Sequence, residues 1–501
     1  MNFYNQNLLY FYHIFISAAV FIITYFIISK RYILYISAGF FIINILAAII
    51  PMASNAITGD GITESTIYHL IRGGEKISII FEYKEINYIL ILLFLLSALL
   101  FIFCKKIKIK SQKILTQSSQ IFVTILLYIV FFIYSPTISE AKYIYQSSGI
   151  SYKDSIGLQE IIDQKTEIHN ITKKRKNLII IYAESLEQSF FEPEIFPDLT
   201  KNLTTLSKSG TLFNKIHQSP MSNWTIAGMV ASQCGMPLSS HLLRNDNAQD
   251  FSNFTNNAIC LGNLLKHNSY YLSYIGGADT NFAGKNSFYK NQAFDEINGL
   301  NEILKPNTEV SKWGLYDEDL FPIILEKIKA LRKNNSPFAL FALTLDTHPP
   351  EGFASNICKT QAYKYSDGKN KHLNAIKCSD IILSRFLEQI ITNNIDDSNI
   401  ILLSDHLMMN SRATDVILKH NIQRFNRMVI WSKDLAPGLI TRSGSQFDIA
   451  STIWHIHSGQ YIPIGFGKSL VGHERTLTEI YESKIFDDSV RAWRVKSWKY
   501  W

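Results

Sequence analysis

Two patterns of hydrophobic residues divide the chain near residue 150. Before that point, long runs of Ile, Leu, Phe and Tyr contain almost no charge, whereas charged residues, Gly and Pro return beyond it in ordinary globular proportion. A helix needs about 20 apolar residues to cross a bilayer core, and four runs come near this length: 8–29, 32–51, 88–104 and 118–135. The pattern predicts a multi-pass α-helical membrane domain over residues 1–139, built from these four helices.

Charged residues beside these segments predict which side of the membrane each link faces. The first link consists of Lys30 and Arg31, and the third contains Lys105, Lys106, Lys108, Lys110 and Lys113. The connection from 52 to 87 instead contains Asp60, Glu64, Glu75, Glu82 and Glu85. Because short basic links face the cytoplasm, the part after the fourth segment is expected outside it. The first segment should stay in the mature chain, because no basic residue precedes it and more segments follow.

Residues 177–501 have the alternation that is typical of an α/β domain. Apolar runs such as NLIIIYA, YYLSYIG, FALFALTLD, NIILLS and RMVIW alternate with amphipathic, helix-like segments. Continuous apolar strands favour a mostly parallel central sheet that is covered on both faces. Ligands of such sheets bind beyond the carboxyl ends of the strands. The segment from 140 to 176 is predicted to be a juxtamembrane linker.

Three of the predicted strands are followed by residues that can bind a metal or act on a substrate. Glu184 comes directly after LIIIYA, Asp405 and His406 come after IILLS, and His348 lies two residues after FALFALTLD. Carboxylate oxygens and imidazole nitrogens suit Mn²⁺, Mg²⁺ or Zn²⁺, with a coordination position left for a reacting oxygen. The alternative for each residue alone is a loop or capping role.

The segment SNWTIAGMVASQCG offers a nucleophile. Thr225 stands where an extended stretch enters a helix of small residues, so a phosphoryl group on its oxygen would meet the helix amino terminus. A hydroxyl that binds a metal loses its proton more easily and becomes nucleophilic near neutral pH. The alternative is a plain helix cap.

Charge and cysteine content narrow the class of protein further. The net charge of +7 lies largely in short clusters, which argues against a nucleic-acid partner. Cys104 lies in an apolar run, and the other four cysteines are available as the pairs Cys234 with Cys260 and Cys358 with Cys378. Two disulfides suit an oxidising compartment, while four unpaired buried thiols are the alternative. The basic run 173–176 and the tail RAWRVKSWKYW suit an anionic bilayer interface. The alternatives are a solvated charge run for the first and a packed terminal strand for the second.

Five strings resemble, in order, motifs of the phosphoglycerol transferases that decorate osmoregulated periplasmic glucans: IYAESLEQSFF, SNWTIAGMVASQCGMPL, KWGLYDEDLF, LTLDTHPP and LLSDHLMMN. More distantly they resemble lipoteichoic acid synthases and lipid A phosphoethanolamine transferases. The likeness covers about residues 175–470 and implies an alkaline phosphatase and sulfatase type of fold. It implies that one divalent metal ion is bound by Glu184, Thr225, Asp405 and His406. Mn²⁺ is the expected ion, and Mg²⁺ and Zn²⁺ are the alternatives. Thr225 is then also the nucleophile, and His348 contacts the transferred phosphate, with Asp346 a weaker candidate.

The resemblance also implies a function and a location. Phosphatidylglycerol would be the donor, and a hydroxyl of a cell-envelope glycan would be the acceptor. The protein would lie in the bacterial inner membrane, with its catalytic domain in the periplasm. A phosphoethanolamine transferase and a membrane sensor without turnover are the alternatives. Where the synthases have a Trp and an Arg around glycerol phosphate, this chain has Ala283 and Lys285; Lys285 and Trp224 are further candidate substrate contacts. The signature CxPxR of sulfatases is absent, which argues against hydrolysis of sulfate esters.

Overall fold

The computed structural model contains two compact units, residues 1–148 and 149–501. The residues it describes are 18, 20–21, 35, 37–43, 51, 54, 116–133, 138, 153–163, 170–171, 173–238, 258–334, 336–358, 363–364 and 368–496. In the first unit, α1 (Gln117–Ile133) coincides with the fourth predicted membrane segment. The other three segments, Cys104 and the link with five lysines lie largely or wholly outside the described residues. Within the described ranges, no helix reaches the length and apolar character that a membrane crossing demands.

The second unit is built on one nine-stranded sheet in the order β4-β3-β5-β1-β6-β7-β2-β8, with β9 also paired to β2. Strand β7 runs antiparallel to both its neighbours, and the remaining pairs are parallel. The sheet is therefore mixed but mostly parallel, as predicted. Its strands are β1 (Asn177–Ala183), β2 (Thr211–His217), β3 (Tyr271–Gly276), β4 (Glu296–Asn298), β5 (Phe338–Leu343), β6 (Ser398–Ser404), β7 (Asn426–Trp431), β8 (Gly438–Ile440) and β9 (Gly444–Ser445).

Helices cover both faces of this sheet. Those described in the second unit are α2 (Leu158–Asp163), α3 (Lys201–Ser207), α4 (Thr225–Cys234), α5 (Leu261–His267), α6 (Lys285–Asn291), α7 (Leu300–Ile303), α8 (Asp317–Arg332), α9 (Lys371–Asn394), α10 (Thr414–Lys419), α11 (Asp448–Ser458), α12 (Leu477–Ile480) and α13 (Ser483–Lys496). Ile179 and Ile181 of β1 join a core with residues of α3, α8 and α9. On the other face, the Tyr182 hydroxyl lies 2.9 Å from Ser232 Oγ of α4. Alternate residues of the central strand are thus buried on opposite sides.

Strand β5 is shorter than the sequence predicts. The apolar pattern extends it to Asp346, but it ends at Leu343. The reason is the Asp317 carboxylate at the start of α8, which accepts the backbone N–H groups of Leu345 at 2.8 Å and Asp346 at 3.2 Å. These amides turn toward the helix instead of continuing the strand. His348 consequently stands at the end of a loop.

The predicted linker and the carboxy-terminal tail are both partly helical. Within the linker, Ser155, three residues before α2, donates its backbone N–H to Ser489 Oγ of α13 at 3.1 Å. The alternative of a packed terminal strand is wrong: Phe486, Val490 and Trp493 are buried at the spacing of a helix face, and they lie on α13. Residues 497–501 lie outside the described residues.

The basic run before β1 is divided between paired and exposed side chains. The Nζ atoms of Lys173 and Lys176 lie 3.4 Å and 2.9 Å from the Asp434 carboxylate. Lys174 and Arg175 are exposed. Half of the run therefore has a structural partner, and only the other half is available as a surface charge.

Candidate active site

Two neighbouring strands bring the predicted acidic residues together. Because β1 and β6 are parallel and Ala183 is paired with Ser404, the next residue of each strand, Glu184 and Asp405, emerge at the same edge of the sheet. His406 follows at once. One ligand atom from each of these three residues lies within 4.8 Å of the others, and all three side chains are buried. The edge thus presents two carboxylates and an imidazole to one small volume.

The atoms that face this volume suit a divalent cation. His406 Nδ1 lies 2.7 Å from the carbonyl oxygen of Leu407, which can only accept, so Nδ1 donates and the lone pair of Nε2 points elsewhere. Nε2 lies 3.5 Å from Glu184 Oε1 and 3.4 Å from Asp405 Oδ2. Among the described residues, neither Nε2 nor Asp405 Oδ2 has a hydrogen-bond partner, although both are buried. Buried polar atoms without partners are rare, and a cation would satisfy both.

Charge and burial shift the pKa values of all three groups. Burial alone raises the pKa of Glu184, but His348 and His406 outweigh it and hold that pKa below its usual range. Burial, together with the charge of Glu184, raises the pKa of Asp405 to about 7. Burial alone lowers the pKa of His406, but the charges of Asp405 and Glu184 raise it to about 9. The imidazoles therefore stabilise the negative charge of Glu184 but do not offset the burial of Asp405, and a divalent cation would supply the missing positive charge.

The hydroxyl of Thr225, which lies on a different segment of the chain, reaches the same volume. It begins α4, whose ten residues contribute a buried, small-residue face. Its Oγ1 donates to Glu184 Oε2 across 3.2 Å. A hydroxyl in the first turn of a helix lies where the partial positive charge of the helix amino terminus favours an anionic group. The hydroxyl, the carboxylates and the imidazole are consequently within reach of one bound group.

The loop after Asp405 is fixed by partners that the sequence pattern does not reveal. Gln218 Oε1 accepts the N–H of Leu407 at 2.7 Å, and Glu187 accepts the N–H of Met408 at 2.8 Å. Arg424 binds Glu187 with Nε and Nη2 and donates to the Met408 carbonyl at 2.6 Å. Glu187 is fully buried. This ion pair therefore holds the backbone that follows His406.

His348 packs against an aromatic residue that the sequence analysis missed. The rings of His348 and Trp313 have centroids 4.1 Å apart, and Trp313 also lies 5.9 Å from the ring of Phe282. His348 Nδ1 donates to the Pro349 carbonyl at 2.7 Å. Burial lowers the pKa of His348 even though Glu184 opposes this. The lowered pKa favours the neutral form of the imidazole, in which Nε2 is free to accept a proton. The only sequence signal for Trp313 was its place in the string KWGLYDEDLF.

The remaining predicted substrate contacts are buried. Lys285 is 3% exposed at the start of α6, and its Nζ donates to the Phe282 carbonyl at 3.0 Å. Ala283 has a positive φ of 59°. Trp224 is 6% exposed and precedes α4 as its N-cap residue. Asp346 exchanges hydrogen bonds with Asp317 and does not belong to the candidate metal-binding group, which consists of Glu184, Asp405 and His406.

Disulfides join the four cysteines of the second unit. Cys234 at the end of α4 is bonded to Cys260, the N-cap residue of α5. Cys358 is bonded to Cys378 of α9. The first bond therefore fixes the far end of the helix that begins with Thr225.

Comparison with known proteins assigns the fold to a family. Residues 176–457, more than half of the chain, match the family model described as Sulfatase. The chain belongs to the sulfatase family. Residues 12–150 of this sulfatase-family chain match a second model, described as the N-terminal domain of phosphoglycerol transferase I. The resemblance that the five motifs predicted is thereby confirmed.

Individual relatives agree with this assignment. Phosphoglycerol transferase I of Xanthomonas euvesicatoria is 30% identical over 470 residues, which cover 92% of this chain and 65% of that relative. The chain therefore spans less than two thirds of that protein. A solved member of the alkaline phosphatase superfamily from Vibrio parahaemolyticus is 22% identical, covers 70% of this chain and 94% of its own, and has a TM-score of 0.52. Lipoteichoic acid synthase LtaP from Listeria monocytogenes is 15% identical, and the match covers 72% of this chain and 98% of the synthase chain, also with a TM-score of 0.52. These two structures show the fold.

The site of this sulfatase-family chain has the parts that transfer of a tetrahedral anionic group requires. Thr225 has a hydroxyl of the kind that can act as a nucleophile, and the start of α4 is a position that favours an anionic group. Glu184, Asp405 and His406 supply ligand atoms for a divalent cation. His348 adds an imidazole that can accept a proton.

Proposed function

We propose that this chain is a metal-dependent phosphoglycerol transferase, which moves glycerol phosphate from phosphatidylglycerol to a hydroxyl of a cell-envelope glycan. The observation that carries the proposal is the position of Thr225, whose hydroxyl begins α4 and donates to Glu184 at 3.2 Å, beside Asp405 and His406. The name of the curated relatives, phosphoglycerol transferase I, supports the choice of the transferred group.

One divalent cation would be held by Glu184, Thr225, Asp405 and His406, with Mn²⁺ the first choice and Mg²⁺ or Zn²⁺ the alternatives. Oxygen ligands with a single imidazole suit these ions. When bound, the cation supplies positive charge that lowers the pKa of a neighbouring hydroxyl and stabilises phosphoryl oxygens. The orphaned atoms Asp405 Oδ2 and His406 Nε2 are the observation in favour of this donor set.

In the first step, Thr225 Oγ1 attacks the phosphorus of the donor headgroup. The bond from Oγ1 to phosphorus forms, and the bond from phosphorus to the diacylglycerol oxygen breaks. The Thr225 proton is lost to water, and the departing diacylglycerol oxygen takes a proton from water, because the lowered pKa of Glu184 makes that carboxylate a weak base. The start of α4 stabilises the negative charge of the group on Thr225.

In the second step, the acceptor hydroxyl attacks the phosphorus of phosphorylated Thr225. The new ester bond forms as the bond between Thr225 Oγ1 and phosphorus breaks, and the proton that the acceptor loses ends on Thr225 Oγ1. His348 is the base in this step: its Nδ1 is committed to Pro349, and its pKa is lowered by burial, so Nε2 can accept the acceptor's proton. The same ring lies beside the transferred phosphate in this scheme.

The location that we propose is the bacterial inner membrane, with residues 177–501 in the periplasm. The apolar runs of residues 1–139 and their basic links support a multi-pass anchor. The match of residues 12–150 to the N-terminal domain of phosphoglycerol transferase I supports it independently. The two disulfides of the second unit suit an oxidising compartment. An anchor of this kind keeps the site close to a lipid donor and raises the effective donor concentration.

The test is release of diacylglycerol by the purified full chain in mixed micelles that contain phosphatidylglycerol or phosphatidylethanolamine, with Mn²⁺. We expect release from phosphatidylglycerol that is abolished by Thr225→Ala and by a chelator. Release from phosphatidylethanolamine alone would show that the proposed donor is wrong and would leave the proposed mechanism unchanged. No release from either lipid would overturn the enzymatic proposal in favour of a membrane sensor.

A further inference from the structure

A single buried side chain connects the two halves of the site. Gln446 stands between β9 and α11 and has no exposed surface. Its Oε1 accepts the backbone N–H of Ser219 at 2.8 Å and also accepts the hydroxyl of Ser222. Its Nε2 donates to the backbone carbonyl of Asp405 at 2.6 Å. One amide therefore makes three hydrogen bonds to two segments that are far apart in the sequence.

These segments are the ones that position the reacting groups. Ser219 and Ser222 belong to the connection between β2 and α4, which leads directly to Thr225. Asp405 is the first residue beyond β6 and provides a carboxylate to the metal-binding group. The amide also lies against α4 itself, since a Cβ on Gly228 would be 3.2 Å from Gln446 Nε2. Gln446 thus touches the approach to Thr225, its helix and the strand end that carries Asp405.

The chemistry of the three bonds calls for an amide. Oε1 faces two donors and Nε2 faces an acceptor, so the side chain must accept at one end and donate at the other. A carboxylate has no hydrogen to donate to the Asp405 carbonyl and would place two oxygens against each other. An apolar side chain would leave a buried amide N–H and a buried carbonyl without these partners, each at a cost.

We propose that Gln446 is a positioning residue, which sets the separation between Thr225 and the metal-binding group by holding the Ser219–Ser222 segment against Asp405. The inference rests on the proposed function of this site. Small displacements of a nucleophile relative to the group that it attacks have large effects on rate. Loss of the Gln446 bonds should therefore reduce turnover without weakening the binding of lipid.

The experiment compares Gln446→Glu with Gln292→Glu in the purified full chain. Gln292 is a suitable control because it is also buried, its Oε1 accepts the backbone N–H of Gly262 at 3.1 Å, and its Nε2 donates to Gln233 near the far end of α4 at 3.4 Å, so the same change is made away from Asp405. A third variant, Ser222→Ala, removes one of the three bonds and leaves the other two, in case Gln446→Glu does not fold. Mn²⁺ affinity by calorimetry, kcat and KM for diacylglycerol release from phosphatidylglycerol, and thermal stability are measured for each variant.

We expect Gln446→Glu to lower kcat about 100-fold, to change KM by no more than about twofold and to weaken Mn²⁺ binding about tenfold, whereas Gln292→Glu keeps all three near wild type. Ser222→Ala should lower kcat by about tenfold in the same way. A kcat and an Mn²⁺ affinity of Gln446→Glu equal to those of Gln292→Glu would overturn the inference. If the wild type itself releases no diacylglycerol, the proposed function fails, and the Mn²⁺ affinities alone still decide for or against Gln446.

Discussion

Gly228 of α4 packs directly on the backbone of Asp405: a Cβ built on Gly228 would lie 2.0 Å from the Asp405 carbonyl oxygen. No side chain fits in that gap. The helix that begins with Thr225 can therefore approach the strand end that carries Asp405 only because residue 228 is a glycine. This contact between two backbones fixes the position of Thr225, the proposed nucleophile, relative to Asp405, a ligand of the proposed cation.

Replacement of Gly228 by Ala should separate the helix from the strand end. The methyl group would displace backbone atoms, and overpacking of this kind costs about 3 kcal/mol of unfolding free energy. We expect that loss in denaturant unfolding, together with loss of diacylglycerol release. Gly438→Ala is the matched control, because an added Cβ there meets nothing within 4 Å. Normal activity and stability of Gly228→Ala would contradict the packing described.

Metal binding should depend on pH. The pKa of His406 is raised to about 9, because the charges of Asp405 and Glu184 outweigh the effect of burial, and burial raises the pKa of Asp405 to about 7. Both groups must lose their protons to bind a cation, so protons compete with the metal below these values. We expect the Kd for Mn²⁺ to fall about tenfold per unit between pH 6.5 and 8.5 in calorimetry. A Kd that stays constant over this range would show that the metal does not displace these protons.

The ion pair of Glu187 and Arg424 should be worth more than a surface pair. Removing Arg424 leaves the fully buried Glu187 carboxylate without its partner and frees the Met408 carbonyl, at a cost of about 3–5 kcal/mol. Arg332, which forms a two-point pair with the half-exposed Asp397, is the control, and its loss should cost about 1 kcal/mol or less. We expect Arg424→Ala, unlike Arg332→Ala, to lower thermal stability and Mn²⁺ affinity together. Equal effects of the two substitutions would argue against a role of the pair in holding the loop after His406.

Trp313 should influence turnover through His348. Because the two rings pack against each other with centroids 4.1 Å apart, loss of the indole allows the imidazole to turn away from the bound group. We expect Trp313→Ala to lower kcat for diacylglycerol release about tenfold, while Trp313→Phe stays within about threefold of wild type. In a chain that already carries His348→Ala, Trp313→Ala should have no further effect. Additive losses in the double variant would mean that Trp313 acts independently of His348.

Much of the site could be predicted because it follows from the direction of two strands. Glu184 and Asp405 each come directly after a continuous apolar run, and parallel neighbours deliver their ends to one edge. The start of α4 at Thr225 was likewise visible in the change from an extended stretch to small residues. These features depend on local pattern and one pairing rule.

The residues that support the site could not be predicted in this way. Arg424 meets Glu187 across 237 positions of sequence, and Gln446 reaches Ser219 across 227. Neither contact has a local periodicity, because each depends on how distant loops pack. The early end of β5 was missed for a related reason: the amides beyond Leu343 are bound by the carboxylate of Asp317, which lies before the strand in sequence.

The central claim, that Thr225 carries the transferred group, is tested most directly by the intact mass of the full chain after incubation with Mn²⁺ and phosphatidylglycerol in the absence of an acceptor. We predict a mass increase equal to one glycerophosphoryl group, localised to Thr225 by peptide fragmentation and missing from Thr225→Ala. Two results would contradict the account. One is diacylglycerol release by the wild type without an adduct in any rapidly quenched sample, and the other is undiminished release by Thr225→Ala.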